Sequence, residues 1–517
     1  MTTGKQAEVQ AQADERIAAL ISNANAVHSA AAAVAGTVGP KGLDTMLVDR
    51  NGETIITNDG ITILTRMEAS HPAARMLVNA ARAQEEEVGD GTTTTTILAA
   101  AILSAAVAQV TRGVPVARVI EGVHLGVRHA LQALEEQARP VGGIAEPVLR
   151  QVALVAGRGH ADIADLVLTA AGMWGQEKFA DPTFKLADCI FAEERAANEV
   201  FHGVVIQRER LDRDGPGAVA PVRLLVLDDA LVPEELDQAA LSTDVGFRRY
   251  IELVQEFRAN IRKLAEIGVN LVVTDRSVDD WALEALTDAG VMVVHRVAMS
   301  EWRRVAEHTG ARVVRRTALR KPAAELARYL GHAERACEDE RLGHVRILGG
   351  QGKPMATVLV GAVTAEVVAE RERIARDAAA SVQAAIREGV VPGGGAIELH
   401  AARMVEQYGA TVKGMAAYGV QCVADALRRP LWQIVANAGY NPLEKVGDVL
   451  VAQGEGGSSG IAVDCDTGEL ADMWLLGVVD PALVKRYALR TAGEIAEAIL
   501  RIDTIIRMKG DRVDPPA

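Results

Sequence analysis

The two ends of the chain share one character and the centre has another, and this contrast restricts the fold more than any other feature of the sequence. Apolar residues recur on a helical period up to about residue 140 and again beyond Thr364. The centre alternates strand-like and helical segments, with β-rich runs at 222–229, 270–275, 291–297 and 311–316 and helical stretches at 247–267 and 278–289. An α/β domain inserted into a helical domain that both ends build together explains this order most simply.

One hairpin interrupts the first helical part. MLVD and ETIITNDG are short strand-like runs, and between them lies Asn51-Gly52, a dipeptide that favours tight hairpin turns. Helical spacing precedes the hairpin at 13–35 and follows it at 73–87 and 92–110. This part of the chain therefore predicts a mostly helical domain that contains one hairpin.

The charge balance argues against nucleic acid as a partner. The 69 acidic side chains exceed the 55 basic ones, so the formal net charge is -14. This sign is wrong for following a phosphate backbone, and aromatic residues, at 3% of the chain, leave few platforms on which bases stack.

Cysteine usage and apolar run lengths favour a cytoplasmic chain with no membrane partner. The four cysteines lie far apart with no CxxC pair, which predicts neither a zinc site nor a disulfide framework: Cys189, Cys337, Cys422 and Cys465. The N-terminus shows no apolar signal core. The longest apolar stretch, 97–107, is interrupted by Ser104 and is shorter than the ~20 residues that a membrane span requires.

Three glycine-rich segments each adjoin a helical stretch. They are GTVGPKG at 36–42, GDGTTTTT at 89–96 and PGGG at 392–395. Glycines let backbone N–H groups approach an anion, and a helix N-terminus adds partial positive charge, so such loops suit a polyphosphate. None has the spacing of a Walker A loop, and each taken alone is better explained as a plain turn.

Acidic residues accompany these loops where a metal-bound phosphate requires them. Asp90 precedes a run of threonines, and Mg²⁺ bound to phosphate takes only one or two protein carboxylates. Asp59, at the end of the hairpin, and Asp377, on the helix that leads to the third loop, are further candidates. If the loops converge, these two carboxylates are placed to orient and deprotonate the water that attacks a phosphoryl group. Each aspartate alone would be an ordinary turn or helix-surface residue.

Five segments together resemble the ATP-binding signatures of the chaperonin family, and they occur in the family's order. They are GTVGPKGLDTMLVD, TIITNDGITIL, HPAARMLV, EVGDGTTT and REGVVPGGGA. The segment GVVDPALVKRYALRTAGEIAEAILRIDTII resembles the end of the family's equatorial domain, so the resemblance covers almost the whole chain. It implies a multidomain α+β and α/β fold, with a mostly helical equatorial ATPase domain, a small intermediate domain and an α/β apical domain with a helical protrusion.

The resemblance implies that these domains are nested along the chain. The equatorial domain would comprise 1–140 and 395–517, the intermediate domain 141–205 and 355–394, and the apical domain 206–354 with a built-in lid around 230–260. The apical segment resembles group II, thermosome-like chaperonins, in which such a lid replaces a separate co-chaperonin. A short protrusion segment, and Arg158 where thermosomes carry a nucleotide-sensing lysine, also fit the divergent group III branch.

The resemblance also implies roles for individual residues. It implies nucleotide contacts in the first two loops, at Thr37, Val38, Gly39, Pro40, Gly91, Thr92, Thr93 and Thr94. It implies Mg²⁺ binding by Asp90 and activation of water by Asp59 and Asp377. Elsewhere, Gly394 would lie against the ribose, Asp480 would bind its hydroxyls, and Asp464 and Cys465 would lie near adenine. ATP and Mg²⁺ are the implied ligands, and K⁺ is a further ion that the family allows.

The implied function is that of an ATP-dependent chaperone that encloses non-native proteins in a ring chamber. Its partners would be these client proteins and copies of the same chain in one or two stacked rings, with no separate co-chaperonin. Helical spacing in the central segment offers six candidates for client binding: Tyr250, Leu253, Phe257, Trp281, Leu283 and Leu286. A place in the apical core explains each of the six equally well.

Three alternatives stay open at this point. They are a ring scaffold or holdase without productive ATP hydrolysis, a group I-type chaperonin that needs a co-chaperonin, and an unrelated metabolic kinase or ligase. The presence of Asp59, Asp90 and Asp377 argues against the first, and the lack of a Walker or kinase signature argues against the last.

Overall fold

The computed structural model describes residues 2–504 except 51, 53, 180, 182, 235, 236, 238–242, 455 and 456. The chain divides into two compact units. Unit 1 comprises Met1–Leu168, Phe179–Ala187 and Arg373–Ala517, and unit 2 comprises Thr169–Lys178 and Asp188–Glu372. Both ends of the chain thus contribute to unit 1. The segments expected to form an intermediate domain are shared between the two units, and the division into three domains stays a prediction.

Helices dominate unit 1, and most of the strands belong to unit 2. In the described ranges the helices are α1 (Thr2–Ala35), α2 (Gly60–Arg66), α3 (Pro72–Val88), α4 (Thr92–Thr111), α5 (Val116–Gln137), α6 (Pro147–Ala156), α7 (Ala161–Trp174), α8 (Gln176–Phe179), α9 (Asp244–Glu266), α10 (Asp280–Asp288), α11 (Met299–Thr309), α12 (Ala323–Leu326), α13 (Ala365–Glu388), α14 (Ala396–Gly409), α15 (Ala416–Leu427), α16 (Arg429–Asn437), α17 (Pro442–Gly454), α18 (Met473–Leu476) and α19 (Ala482–Leu500). The strands are β1 (Thr45–Val48), β2 (Thr54–Thr57), β3 (Ile190–Glu194), β4 (Glu199–Ile206), β5 (Ala218–Val219), β6 (Val222–Leu227), β7 (Leu271–Thr274), β8 (Met292–Val294), β9 (Gly331–Ala333), β10 (Arg335–Asp339), β11 (His344–Leu348), β12 (Ala356–Ala362), β13 (Val390–Pro392), β14 (Ile461–Val463), β15 (Leu470–Asp472) and β16 (Val479–Pro481).

The core of unit 1 is a cluster of apolar helices, chiefly α1, α3, α4, α5, α14, α15 and α19. At its centre α4 buries residues on most sides, among them Leu98, Ile102 and Ala106, so its sequence lacks a polar stripe. By length and composition alone, α4 and the segment Arg16–Ala35 of α1 could cross a membrane, with 56% and 39% of their residues buried. Their packing in this core explains the same apolar composition.

The predicted hairpin is confirmed. β1 pairs antiparallel with β2, with Thr45 opposite Thr57. The chain leaves β2 and begins α2 immediately after Asp59. The hairpin therefore delivers this aspartate to the start of a helix.

Two sheets form the core of unit 2. The larger has the strand order β3-β12-β4-β11-β10-β5, and the smaller has the order β8-β7-β6-β9, with β6, β7 and β8 parallel. Both faces of β6 are covered. Leu224 and Val226 pack into a cluster that contains strands of both sheets, whereas Leu225 and Leu227 pack against α9 and α10. The α/β character predicted for the centre is confirmed.

The strand predicted for ARVVRR is wrong. Only Val314 pairs, in a single bridge to Leu227, and a short 3₁₀ helix follows at Arg316–Arg320. The backbone N–H of Arg316 donates to Asp229 Oδ2 at 3.2 Å. This bond turns the chain away from the sheet, and a residue pattern does not reveal such a tertiary contact.

The expected lid segment lies partly outside the described residues, because 235, 236 and 238–242 belong to it. Its described part is mainly α9, which begins with an N-cap bond of 3.0 Å from the N–H of Gly246 to Thr243 Oγ1.

Burial divides the six client-binding candidates. Leu253, Phe257 and Leu286 are 4%, 6% and 0% exposed, so a client surface is the wrong interpretation for these three and the core alternative is the right one. Trp281 and Leu283 pack partly buried against the same core. Tyr250, at 38% exposure, is accessible.

Candidate nucleotide site

The loop between α3 and α4 holds Asp90 in a fixed orientation. Gly89 and Gly91 flank it in the left-handed region, with φ values of 76° and 86°. Asp90 Oδ1 accepts the N–H of Gly91 at 2.6 Å, and Oδ2 accepts the hydroxyl of Ser381 at 2.9 Å. Gly91 is the N-cap of α4 and supplies no side chain to cap it, so the N–H groups of the first turn, Thr92 to Thr94, can receive an anion.

Gln84 anchors this loop from α3, and the sequence analysis did not single it out. Its Nε2 donates to the carbonyl oxygen of Asp90 at 2.7 Å, and its Oε1 accepts the hydroxyl of Thr95 at 3.2 Å. A Cβ on Gly91 would lie 2.7 Å from Val484 Cγ1. The positive φ and this contact together require glycine at position 91.

Asp59 caps α2 beside the same loop. Its Oδ2 accepts the N–H of Thr62 at 3.1 Å and the hydroxyl of Thr62 at 2.6 Å. A Cβ on Gly60 would lie 2.4 Å from Thr93 Oγ1. The end of the hairpin therefore packs against the first turn of α4, and two of the sequence signatures converge.

Arg373 connects Asp377 to the end of the hairpin. Its Nη1 lies 2.9 Å from Asp377 Oδ2 and 3.9 Å from Asp59 Oδ1, and its Nη2 donates to Asn58 Oδ1 at 3.1 Å. Ser381, which holds Asp90, lies one turn beyond Asp377 on α13. One face of α13 thus brings Asp377 to the other two aspartates.

Crowding of carboxylates changes their acidity. Burial raises the pKa of Asp377 well above its ordinary value, Arg373 opposes this, and the charges of Asp90, Glu85 and Asp59 raise the pKa further. Burial also raises the pKa of Asp90. Carboxyl groups outnumber cationic side chains in this cluster, so a bound cation would stabilise their charged forms.

Glu85 is a fourth carboxylate at this site, and the sequence analysis missed it. Burial raises the pKa of Glu85 to about 7, with further increases from Asp59 and Asp90 and an opposing effect from Arg373. Glu85 belongs to a run of three glutamates on α3. Such a run is typical of a solvated helix face, so the sequence holds no signal that separates Glu85 from Glu86.

Replacing Glu85 with Gln is expected to remove a pH-dependent loss of stability. An unfolded glutamate loses its proton near pH ~4.3, whereas the folded chain keeps this one until the pH reaches about 7. The wild type therefore loses stability as the pH rises through this window, and the loss is complete above it. Scanning calorimetry without nucleotide should show that E85Q raises the melting temperature more on the alkaline side of the window than on the acid side.

The exposed neighbour Glu86 provides the matched control. E86Q should shift the melting temperature by similar small amounts at both pH values. If E85Q shifts the melting temperature equally at both pH values, burial does not raise the pKa of Glu85.

The third glycine-rich loop and Asp480 meet through a two-stranded ladder. β13 pairs antiparallel with β16, with Val391 opposite Asp480. A Cβ on Gly393 would lie 3.1 Å from Asp480 Oδ2, and Gly394, at φ 63°, lies against Met473. The ladder therefore brings Gly393 against Asp480, and Gly394, expected at the ribose together with Asp480, is the next residue of the same loop.

Lys485 is a buried cation beside Asp480, and the sequence analysis missed it as well. Its Nζ lies 2.8 Å from Asp480 Oδ2 and 2.8 Å from Glu398 Oε1. Burial alone would lower the pKa of Lys485, but the two carboxylates raise it above its ordinary value. The ammonium therefore stays charged.

α16 holds the first glycine-rich loop and the third together. Asn437 Nδ2 donates to the carbonyl oxygen of Val38 at 2.8 Å. A Cβ on Gly39 would lie 3.1 Å from Ile434 Cγ2, and one on Gly395 would lie 2.8 Å from Leu431 Cα. Thus Val38 and Gly39 share one supporting helix with the loop that contains Gly394.

The turn between β14 and β15 contains Asp464 and Cys465. Asp464 Oδ1 accepts the N–H of Asp466 at 2.9 Å, and its Oδ2 accepts the hydroxyl of Thr467 at 3.0 Å, which lowers the pKa of Asp464. Lys41 Nζ lies 2.5 Å from Asp466 Oδ1. The turn is thereby tied to the first loop, next to Pro40.

The residues at this site fit a phosphate-bound Mg²⁺. In the part of the chain that the structure describes, no three His, Cys, Asp or Glu side chains form a group that could hold a metal ion. Mg²⁺ that accompanies phosphates takes only one or two protein carboxylates and completes its shell with phosphate oxygens and water. The carboxylate of Asp90, close to other carboxylates at the start of α4, has the chemistry that such a ligand would need.

Comparison with known proteins identifies the family. Residues 31–510 match the model of the TCP-1/cpn60 chaperonin family. Thermosome subunit beta of Aeropyrum pernix is 32% identical over 516 residues, covering 94% of this chain and 91% of that protein. The thermosome subunit of Methanopyrus kandleri is 34% identical over 505 residues, with the same two coverages of 94% and 91%.

A solved structure agrees with these relatives. The crystal structure of a group III chaperonin in the open state matches with a TM-score of 0.88 and 47% identity, covering 95% of this chain and 100% of that one. The fold is that of a chaperonin subunit. This chain belongs to the TCP-1/cpn60 chaperonin family.

Proposed function

We propose that the chain is the ATP-hydrolysing subunit of a ring chaperone that encloses non-native proteins and promotes their folding. The main observation behind this proposal is that Asp59, Asp90 and Asp377 lie close together beside the first turn of α4. Membership of the chaperonin family supports it. Intact carboxylates at all three positions disfavour a scaffold that no longer hydrolyses ATP.

The phosphates of ATP would lie against the N–H groups of Thr92 to Thr94, where the dipole of α4 favours negative charge. Asp90 would hold Mg²⁺, which when bound offsets the negative charge on the phosphoryl group being transferred. Gly394 and Asp480 would contact the ribose, and the turn with Asp464 and Cys465 would lie near adenine. The two bonds inside that turn occupy the carboxylate of Asp464, so its contribution would come from the backbone.

Asp377 would take the proton of the attacking water, and Asp59 would orient that water. Burial makes Asp377 a stronger base by raising its pKa, and Arg373, which partly opposes this rise, lies between the carboxylates of Asp377 and Asp59 and orients them. The water oxygen bonds to the terminal phosphorus as the bond to ADP breaks, giving ADP and inorganic phosphate. No covalent enzyme intermediate is required.

Client proteins would contact the first turns of α9. Four apolar side chains there are 79%, 55%, 38% and 42% exposed: Val245, Phe247, Tyr250 and Ile251. A contiguous exposed apolar set is typical of a binding surface. Of these, the sequence analysis named only Tyr250. The segment around 230–260 would close the chamber of one or two stacked rings without a separate co-chaperonin.

Deleting residues 235–248 is expected to separate ATP hydrolysis from enclosure of a client. The deletion spares Val232 and Pro233, whose carbonyl oxygens accept bonds from Arg316 Nη1 at 3.1 and 3.2 Å, so these contacts within unit 2 persist. ATP turnover should stay close to that of the wild type. The deletion also removes Val245 and Phe247, so less denatured protein should be captured, through Tyr250 and Ile251. The captured fraction should remain sensitive to added protease in the presence of ATP, whereas the wild type protects what it captures.

F247S keeps the length of the segment and provides the control. It should weaken capture of the denatured protein and still protect what is captured. Folding at the wild-type yield by the deletion variant, without any co-chaperonin, would show that the built-in lid is the wrong interpretation.

A further inference from the structure

The buried cation Lys485 connects three separate parts of unit 1. It lies in the first turn of α19, Glu398 lies in the first turn of α14, and Asp480 lies in β16. The side chains of Lys485, Glu398 and Asp480 are only 11%, 3% and 20% exposed. A buried ammonium shared between two carboxylates is costly to desolvate, so it contributes little net stability, but its contacts fix the positions of both carboxylates.

The ammonium leaves one oxygen of Asp480 unused. Nζ contacts Oδ2, and among the residues that the structure describes Oδ1 accepts no hydrogen bond. The carboxylate packs closely against the glycine loop, since a Cβ on Gly393 would lie 3.1 Å from Oδ2. Oδ1 is not among the buried oxygens that lack a partner, so this unpaired oxygen is accessible and is suited to accept a hydrogen bond from a ligand.

Electrostatic repulsion explains why a cation is needed at this position. The charge of Asp480 raises the pKa of Asp90, and that of Lys485 lowers it, so these groups lie within each other's field. Without the ammonium, Asp480 would be repelled by both Asp90 and Glu398. Its carboxylate would then have no contact to hold it beside the glycine loop.

We propose that Lys485 is a positioning residue for the sugar of the nucleotide, holding Asp480 so that its free oxygen accepts a hydrogen bond from a ribose hydroxyl. The inference rests on the proposed ATP site and deepens it by naming the residue that sets the preference for ribose over deoxyribose. Lys485 itself touches no part of the nucleotide. Glu398, fixed on a rigid helix, in turn holds the ammonium.

The test measures dissociation constants of ATP, 2′-deoxy-ATP and 3′-deoxy-ATP for the full chain by calorimetry. Wild type should bind at least one deoxy analogue ~10-fold more weakly than ATP, as expected for loss of a hydrogen bond to a charged group. In K485M the affinity for ATP should fall to that of the more weakly bound deoxy analogue. The ratio of the two dissociation constants should therefore approach one. K413M makes the same change at an exposed site and should keep the wild-type ratio.

In K485M, the carboxylate of Glu398 stays buried without a cation beside it, and the double variant K485M/E398Q removes this charge as well. The double variant is measured instead if K485M does not fold. The variant that folds is then compared with the wild type. If its dissociation constants for ATP and the weaker deoxy analogue keep the wild-type ratio, Lys485 does not have the proposed role. Equal binding of all three nucleotides by the wild type would also overturn it while leaving the ATP site intact. Binding of none of the three would instead contradict the proposed function.

Discussion

Replacing Asp377 with Asn is expected to slow ATP turnover by ~100-fold or more while ATP binding is retained, because loss of a general base costs this much. Asn preserves the shape of the side chain, and its Oδ1 can still accept from Arg373 Nη1, which lies 2.9 Å from the carboxylate in the wild type. The substitution removes the carboxylate that accepts the proton. In the wild type, burial raises the pKa of this carboxylate and makes it a stronger base. Phosphate release under saturating ATP and calorimetric ATP binding measure the two properties separately.

The exposed aspartate Asp425 provides a matched control for this change. It lies on α15 and contacts Gln421 and Arg428 rather than the nucleotide loops. D425N should hydrolyse ATP at the wild-type rate. Turnover at that rate in D377N would remove Asp377 from the reaction, and loss of ATP binding in D377N would make it a structural residue instead.

Replacing Asp90 with Asn is expected to have two effects of opposite sign. Hydrolysis should fall by ~100-fold or more, since a bound metal ion contributes several kcal/mol to transition-state stabilisation and each ~1.4 kcal/mol is tenfold in rate. The nucleotide-free protein should melt at a higher temperature, because a buried carboxylate with a raised pKa is replaced by a neutral amide. The amide can keep the bonds to Gly91 and Ser381, which are 2.6 and 2.9 Å long in the wild type.

Binding of ATP with and without Mg²⁺ shows whether the lost function is that of a metal ligand. Wild type should bind ATP more tightly when Mg²⁺ is present, and D90N should show little difference. S381A removes one bond to Asp90 and keeps the carboxylate, so it should preserve the dependence on Mg²⁺. An unchanged dependence in D90N would assign the metal to another group.

Local patterns in the sequence were sufficient for the hairpin and the glycine-rich turns, but not for the strand predicted at 311–316. Asn51-Gly52 between two alternating runs predicts the hairpin, and the glycines at 89 and 91 predict the turn that both adopt with positive φ. The fold class also follows from order along the chain, because strand and helix periods differ. These features depend on neighbouring residues, which a single sequence displays.

The residues that tertiary contacts define could not be predicted in the same way. Glu85, Arg373 and Lys485 look like ordinary charged residues of helices, and only the folded chain brings them to Asp377 or Asp480. Burial is likewise invisible in a helical pattern. Phe257 and Phe247 are both apolar residues of α9, yet one is 6% exposed and the other 55%.

The central claim is that ATP hydrolysis at Asp59, Asp90 and Asp377 drives productive folding. The most direct test is the recovery of activity by a chemically denatured enzyme, measured with wild type and D377N, each with and without ATP and Mg²⁺. We expect recovery only with wild type and ATP, and capture without release of active enzyme in the other three cases. Equal recovery by D377N, or by wild type without ATP, would contradict the account.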